Sequence, residues 1–240
     1  MRNAVSGERT RQAIAEGTAI APETIDVTEF AEYTLLDISE LPAPPSRIPT
    51  AGPHAQLHRE ASALLQAGWL DGAPLPDTAL PESALLLNPS SLTPSRVACE
   101  EAIPALLVDL DPGAESMPLD GNLSPDPELV TVLDDLRRQG LTIAWITDRE
   151  PQDAGTIRAR LLEAGLDPTG RDPLFVQRYP GELKQARRRA LLETHCLLAI
   201  AGDDRRDFDD LYLYLRDPAA ALPLEAMLDD RWFLIPNPLD

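Results

Sequence analysis

From about residue 105 onward, short apolar runs alternate with amphipathic helical patterns, and this alternation most strongly limits the folds open to the chain. The predicted strands are residues 105–109, 141–147, 174–177, 197–201 and 232–235. The predicted helices are residues 126–140, 152–165, 182–194 and 207–215. Strands that alternate with helices form right-handed βαβ units, which build a mostly parallel sheet. The sequence therefore predicts an α/β fold for this part of the chain.

The first 95 residues have a different texture, because prolines cluster at residues 42–53 and again at 74–81. Proline cannot donate to a sheet ladder, so long strands are not expected there. Apolar residues at helical spacing predict one helix over 53–67, and a Thr-Pro start predicts a shorter one over 93–102. We expect residues 1–95 to be a helical and loop-rich extension that packs on a second domain, residues 96–240.

The charge balance narrows the class of partner. Twenty-one basic and 40 acidic residues give a net charge of −19. Such a chain repels phosphate backbones, so a nucleic-acid surface is not expected. A bound phosphate would need a metal or a few placed cations to reverse the local field.

Cysteine and histidine patterns indicate no zinc site. Cys99 and Cys196 are the only cysteines, and they lie in no Cys-x-x-Cys pattern, so we expect both to be free and buried. His54, His58 and His195 fit no metal or triad spacing and are expected to be surface or hydrogen-bonded residues. No stretch approaches a membrane span and no signal-peptide core is visible, so the chain as given is expected to be cytoplasmic.

Two carboxylates stand where the run Ala-Leu-Leu-Val ends. Asp109 and Asp111 are separated by one residue, and residues i and i+2 of a strand share a face. Open α/β sheets bind ligands in the crevice beyond the carboxyl ends of their strands. Both aspartates can therefore point into one such crevice.

Later strand ends carry further polar groups. Thr147 follows the second strand, where its hydroxyl can bind a phosphate oxygen, although threonine is also common at strand ends for its β-propensity. A glycine turn after the fourth strand leads into an acidic run that contains Asp203, Asp204 and Asp207. Carboxylate oxygens suit hard cations such as Mg²⁺, and the alternative is a solvated loop that caps a helix.

Lys184 is the only lysine in a chain with 20 arginines. A bias toward arginine explains why lysine is rare but not why one remains. Lysine is a compact charge, whereas arginine is a wide planar fork, so a site that needs a point charge on phosphate cannot easily exchange them. We expect Lys184 to contact phosphate.

Taken in order, Asp109-Leu-Asp111, Thr147, Lys184 and the run Gly202–Phe208 resemble the four motifs of haloacid-dehalogenase-like (HAD) phosphohydrolases. The resemblance covers about residues 100–240 and is greatest to the class B and lipoprotein e acid phosphatases, whose last strand is followed by a run similar to Leu234–Pro238. It implies a Rossmann-like, three-layer αβα sandwich without a large cap.

The resemblance also implies a chemistry, namely hydrolysis of a small-molecule phosphomonoester through an aspartyl-phosphate. Asp109 is then the nucleophile and Asp111 the general acid and base. Thr147 and Lys184 bind the phosphate. The implied Mg²⁺ ligands are Asp109, Asp111 and Asp203, with Asp204 or Asp207 in support. Such a cation is needed because a carboxylate and a phosphate dianion repel each other.

The first motif departs from the family pattern at Pro112-Gly113, where a glutamate and a threonine are usual. The missing hydroxyl normally supports the loop that carries both aspartates. Two alternatives therefore stay open beside the phosphatase: a catalytically weakened relative that binds phosphate, metal or a protein partner, and an interaction module with an acidic surface. Retention of Asp109, Asp111 and Lys184 favours the phosphatase.

Overall fold

The computed structural model describes residues 47–70, 73–75, 81–101, 103–121 and 124–239. Residues 1–46 of the expected N-terminal extension lie outside these ranges. Residues 46–240 form one compact unit. The division into domains at residue 95 stays a prediction.

A parallel five-stranded sheet forms the centre of this unit. Its strands are β5 (Pro104–Asp109), β6 (Thr142–Ile146), β7 (Leu174–Phe175), β8 (Cys196–Gly202) and β9 (Trp232–Leu234). Their order is β7-β6-β5-β8-β9, and every pair is parallel. The predicted α/β fold with a Rossmann-like parallel sheet is therefore confirmed. After β5 the chain adds β6 and β7 on one side of it and then β8 and β9 on the other side. Sheets with this change of direction bind ligands at the carboxyl end of the strand where it occurs, which here is β5.

Four α-helices in the described part of the chain accompany the sheet: α1 (Pro53–Gly68), α2 (Pro127–Arg138), α3 (Ala154–Glu163) and α4 (Lys184–Leu191). Local chemistry explains where α2 begins. The Asp126 side chain accepts a hydrogen bond from the Glu128 N–H at 2.8 Å, and Pro127 occupies the first turn, where no partner for its nitrogen is needed. The predicted helices at 53–67 and 126–140 are confirmed to within two residues.

The sheet is covered on both faces, and the alternation of side chains along β5 shows this. Leu106 and Val108 belong to a buried cluster with residues of α1, α2 and α3. Leu107 belongs to a second cluster that contains residues of strand β3 (Glu82–Leu86) and the 3₁₀ segment Pro218–Met227. Strands buried on both faces are apolar throughout, which is why residues 105–108 form a continuous hydrophobic run.

Two expectations about secondary structure were wrong. The helix predicted over 93–102 was wrong, because the described residues 93–101 form no helix and strand β4 (Arg96–Ala98) pairs antiparallel with β3. β3 follows the proline cluster at 74–81, where only long strands were not expected, and it has five residues. β3 buries Ala84, Leu85 and Leu86, and pairing with this buried strand outweighs the local helix signal of residues 96–98. A short hairpin, β1 (Trp69–Leu70) with β2 (Ala73–Pro74), precedes it.

The helix predicted over 207–215 is also wrong. The chain forms the 3₁₀ turns Arg205–Asp207 and Asp210–Leu213 instead. Asp204 accepts from the Arg206 N–H at 2.9 Å, and Asp209 accepts from the Leu211 N–H at 2.8 Å. Each aspartate therefore caps a new turn, and the sequence of caps prevents one continuous helix.

Cys99 and Cys196 form a disulfide, with 5.1 Å between their Cα atoms, so the expectation of two free cysteines was wrong. The cysteines are 97 residues apart in sequence, and only the return of the chain through β4 to the start of β8 brings them together. Structural disulfides are typical of oxidising compartments. The cytoplasmic localisation is not tested by the structure and stays a prediction. Within the described ranges, no helix is long and apolar enough to cross a membrane.

Candidate active site

Asp109 and Asp111 lie at the end of the central strand. Asp109 is the last residue of β5 and is 1% exposed, and Asp111 is 2% exposed. Leu110 between them stays beside β6, because its N–H donates to the Ile146 carbonyl at 3.0 Å. The Asp111 N–H in turn donates to Asp109 Oδ1 at 2.9 Å. The strand and its continuation thus hold both carboxylates close together, as their spacing predicts.

Three hydrogen bonds orient the Asp111 carboxylate. Thr147 Oγ1 donates to Oδ1 at 2.5 Å, the Met117 N–H donates to Oδ1 at 2.8 Å, and the Asp148 N–H donates to Oδ2 at 2.6 Å. Thr147, which was predicted to bind phosphate, is fully buried and donates to Asp111 here. Its phosphate role stays a prediction.

Lys184 lies in the first turn of α4 and contacts carboxylates of the first and the fourth motif. Its Nζ lies 2.8 Å from both oxygens of Asp109, 3.0 Å from Asp111 Oδ2 and 3.5 Å from Asp207 Oδ1. Its side chain is 10% exposed. One ammonium group therefore faces three buried carboxylates.

The acidic run after β8 divides between two environments. Asp203 accepts the Gly113 N–H, with 3.1 Å to each oxygen, so it meets the loop that follows Asp111. Asp207 is buried beside Lys184 and accepts the Asp204 N–H at 3.0 Å. Asp204 itself pairs with Arg206, whose Nε lies 2.8 Å from Oδ1. The structure thus places Asp203 at the loop after Asp111 and Asp207 beside Lys184, and it pairs Asp204 with Arg206.

Burial and the repulsion between like charges raise the pKa values of two carboxyl groups in this cluster, Asp109 and Asp207. Burial raises the pKa of Asp109 to about 6, with Asp111 adding to the shift and Lys184 opposing it. Burial and the charge of Asp109 raise the pKa of Asp207 to about 8. Burial would lower the pKa of Lys184, but Asp109, Asp111 and Asp207 outweigh it and raise the value. Negative charge therefore exceeds the positive charge available to balance it.

This excess fits a hard divalent cation. Asp109 Oδ2 is buried and, among the described residues, accepts no hydrogen bond beyond its ion pair with Lys184. Carboxylate oxygens in an acidic cluster are the donors that Mg²⁺ prefers. The donor set of Asp109, Asp111 and Asp203 is therefore chemically suited to the predicted ion.

A second group of donors lies at the first turns of α1 and α2. Ligand atoms of His54, Asp126 and Glu128 fall within 4.8 Å of one another. Asp126 also caps α2, and helix N-termini favour anions over cations, so a structural role explains both acids. As expected, His58 and His195 have hydrogen-bond partners, Asp135 Oδ2 at 2.7 Å and Thr194 Oγ1 at 2.8 Å. His54 differs from the expectation, because it is 2% exposed and its Nε2 has no hydrogen-bond partner among the described residues.

A cleft of about 190 Å³ opens beside the cluster. Its inner wall includes Asp111, Lys184 and Asp207, and its rim includes the half-exposed side chains of Leu183 and Leu213. Between Thr147 and Lys184 the chain forms one 3₁₀ turn, α3 and β7. The absence of a large cap domain stays a prediction.

Sequence reasoning missed Arg187 and Arg188, which are 1% and 0% exposed. Arg187 bonds to the Thr147 carbonyl and to Asp148. Arg188 bonds to the Asp207 carbonyl at 2.9 Å and to Asp210 Oδ1 at 2.5 Å. A signal was present, because positions 184, 187 and 188 share one face of a helix.

No protein-family model matches the sequence, and a search of curated proteins finds no significant match. Two solved structures to which the chain is similar are both of the class C acid phosphatase from Bacillus anthracis, one of them with tungstate bound. The first is 17% identical with a TM-score of 0.43, over 57% of this chain and 68% of that one. The second is 19% identical with the same TM-score, over 57% of this chain and 67% of that one. This likeness is distant, and the chemistry of the site has to come from its own residues.

Proposed function

We propose that the protein is a Mg²⁺-dependent phosphomonoesterase that transfers phosphate through a covalent intermediate on Asp109. The observation that carries this proposal is the contact of one ammonium group, Lys184 Nζ, with Asp109 at 2.8 Å and Asp111 at 3.0 Å. These groups lie at the carboxyl end of the central strand, where such sheets bind ligands. Two carboxylates beside a point positive charge are the groups needed for nucleophilic attack and proton transfer at phosphorus.

The reaction has two steps. An oxygen of Asp109 attacks phosphorus while the bond to the ester oxygen breaks, and Asp111 gives its proton to the departing oxygen. Water then attacks phosphorus, Asp111 takes a proton from that water, and the bond between phosphorus and Asp109 breaks. Lys184 offsets the repulsion between the anionic carboxylate and the phosphate dianion.

Asp109, Asp111 and Asp203 would hold Mg²⁺, with Asp207 in support. The ion would supply positive charge that stabilises negative charge on the phosphoryl oxygens. Burial raises the pKa of Asp109 to about 6, and a nearby cation favours the anionic form that attack requires. This need for added positive charge supports a metal-dependent reaction.

The altered first motif is compatible with an ordered site. Gly113 adopts φ +53°, a conformation in which glycine is favoured, and its N–H donates to Asp203. This bond ties the loop after Asp111 to the end of β8. In the family that the chain resembles, a threonine hydroxyl supports the same loop. A cleft of about 190 Å³ suits a small phosphomonoester.

The test compares wild-type protein with Asp109→Asn on p-nitrophenyl phosphate, with Mg²⁺ and with EDTA, from pH 5 to 8. We expect turnover that depends on Mg²⁺ and is lost in Asp109→Asn, because an amide cannot serve as the nucleophile. Asp134→Asn is the matched control, since Asp134 is 58% exposed on α2 and should leave turnover unchanged.

Turnover that survives Asp109→Asn would remove Asp109 from the chemistry. A folded wild-type protein that binds Mg²⁺ but hydrolyses no phosphate ester would favour the binding alternative instead.

A further inference from the structure

We propose that Arg187 is a positioning residue that orients Asp111 through the peptide group between Thr147 and Asp148. The inference rests on the proposed function, because it concerns the residue that protonates the leaving oxygen. Arg187 contacts neither Asp109 nor Lys184 in the hydrogen bonds and ion pairs of the described residues. Its effect on the reaction would therefore pass through the backbone.

Arg187 spans two elements from the inner face of α4. One terminal nitrogen, Nη1, donates to the Thr147 carbonyl, and the other, Nη2, donates to Asp148 Oδ1. Nη2 also lies 3.4 Å from the Glu182 carbonyl. Because the side chain is 1% exposed, water competes little for these bonds. The guanidinium thus ties the start of α4 to the loop that leaves β6.

The Thr147 carbonyl and the Asp148 N–H belong to the same planar peptide group. Arg187 holds the carbonyl end of this group, while the N–H end donates to Asp111 Oδ2 at 2.6 Å. A planar unit that is fixed at one end cannot rotate freely at the other. Arg187 therefore determines the direction from which Asp111 receives this hydrogen bond.

A charged donor is needed at this position for a physical reason. The Thr147 carbonyl is buried, and a bond from a guanidinium is stronger than one from a neutral donor. The charge of Arg187 is balanced by Asp148 and by Glu182, whose Oε2 lies 3.8 Å from Nε. Glu182 is itself held by Arg178, with 2.6 Å between Nε and Oε1. The arginine is thus fixed in place before substrate binds.

The expected effect depends on the leaving group. A poor leaving group such as an alkoxide needs a well-placed proton, whereas p-nitrophenolate leaves with little help. If Arg187 orients Asp111, its loss should slow alkyl phosphates much more than p-nitrophenyl phosphate. A general loss of structure would slow both substrates by the same factor.

The experiment measures kcat/KM of wild-type protein, Arg187→Met and Arg187→Lys on p-nitrophenyl phosphate and on an alkyl phosphate such as glycerol 2-phosphate. We expect Arg187→Met to lose about 100-fold on the alkyl ester and at most about 10-fold on the aryl ester. Arg187→Lys keeps one charged donor and should recover part of the loss on the alkyl ester.

Arg189→Met is the matched control on the same helix. Arg189 donates to the Leu86 and Leu87 carbonyls at 2.9 and 3.0 Å, which lie at the end of β3 and not at the site. The Arg189→Met variant should keep the wild-type ratio of kcat/KM on the alkyl ester to kcat/KM on the aryl ester. If Arg187→Met does not fold, Asp148→Ala takes its place, because it removes a partner of Arg187 whose side chain is 44% exposed.

Equal losses on both esters, in Arg187→Met or in its replacement, would overturn the inference while leaving the phosphatase in place. Wild-type protein that hydrolyses neither ester would instead refute the proposed function and the inference with it. The two failures are therefore distinguishable.

Discussion

At the scale of single residues, the site carries more buried negative charge than its lysine can balance. Lys184 faces Asp109, Asp111 and Asp207, all within 3.5 Å of its Nζ. Carboxylates packed this closely repel one another, and burial removes the water that would screen them. Stability alone does not favour such a cluster, and perturbed pKa values of this kind gather at functional sites.

A pH dependence of stability follows from Asp109. Its pKa is raised from 3.8 to about 6, so the folded state binds this proton more tightly than the unfolded chain does. The stabilisation is fully present below pH 4 and is lost as the pH rises toward and past 6. Between pH 4 and 7, metal-free wild-type protein should lose roughly 2 kcal/mol more stability than Asp109→Asn, as measured by urea unfolding in EDTA.

The pKa of Asp135 is shifted in the opposite direction to that of Asp109, so Asp135 serves as the control. Burial would raise its pKa, but hydrogen bonds from His58 and Gln139 outweigh burial and lower it. Its contribution is therefore present above pH 4 and lost as the pH falls, so Asp135→Asn should cost stability at pH 7 and little at pH 3. Parallel curves for wild type and Asp109→Asn would show that burial does not penalise the Asp109 charge.

At the scale of elements, the end of β8 has to bring an acidic turn close to the sheet. A Cβ on Gly202 would lie 2.5 Å from Asp207 Oδ2 and 2.6 Å from Asp207 Cβ. Glycine is thus required by the close approach of Asp207, and its φ is not in the left-handed region. The turn is held by a capping box in which Asp204 and Asp207 each accept a backbone N–H.

Gly202→Ala should therefore displace Asp207 and disturb the contact with Lys184. We expect a loss of stability of about 1–3 kcal/mol from overpacking and a fall in phosphatase activity of at least about 10-fold. Thermal unfolding and steady-state kinetics measure the two effects.

Gly155→Ala is the matched substitution in α3, where a new Cβ meets nothing within 4 Å. It should be neutral or stabilising by up to about 1 kcal/mol. Equal behaviour of the two alanine variants would show that the approach of Asp207 to Gly202 is not needed.

At the scale of the whole molecule, the Cys99–Cys196 disulfide joins the β3–β4 hairpin to the central sheet. Cys196 is the first residue of β8 and Gly202 is the last, so the disulfide and the acidic turn lie at opposite ends of this strand. The disulfide closes a loop of 97 residues. A crosslink over a long loop stabilises mainly by restricting the unfolded chain.

Reduction should therefore lower the free energy of unfolding by roughly 2–4 kcal/mol and leave activity at 25 °C nearly unchanged. Chemical denaturation and phosphatase assays with and without a reductant test this expectation. Cys99→Ser should be less stable and insensitive to the reductant. Activity that disappears on reduction while the protein stays folded would contradict the separation of disulfide and site.

Several features followed from sequence because local forces determine them. The run 105–108 is apolar enough to be buried on both faces, and the polar residues that follow it must then lie at the edge of the sheet. Asp126-Pro127 starts α2 through its own cap. Lys184 could be singled out because lysine occurs once in the chain and its chemistry differs from that of arginine.

Other features depend on residues far apart in the chain, and only the tertiary structure determined them. β3 pairs with β4 and packs near β8, and Cys99 reaches Cys196 through that pairing. Arg187 donates to the Thr147 carbonyl, 40 residues away in the sequence, and no local sequence pattern predicts this contact. Sequence periodicity specifies which face of an element is buried, whereas the partner of a buried charge is set by how the elements pack together.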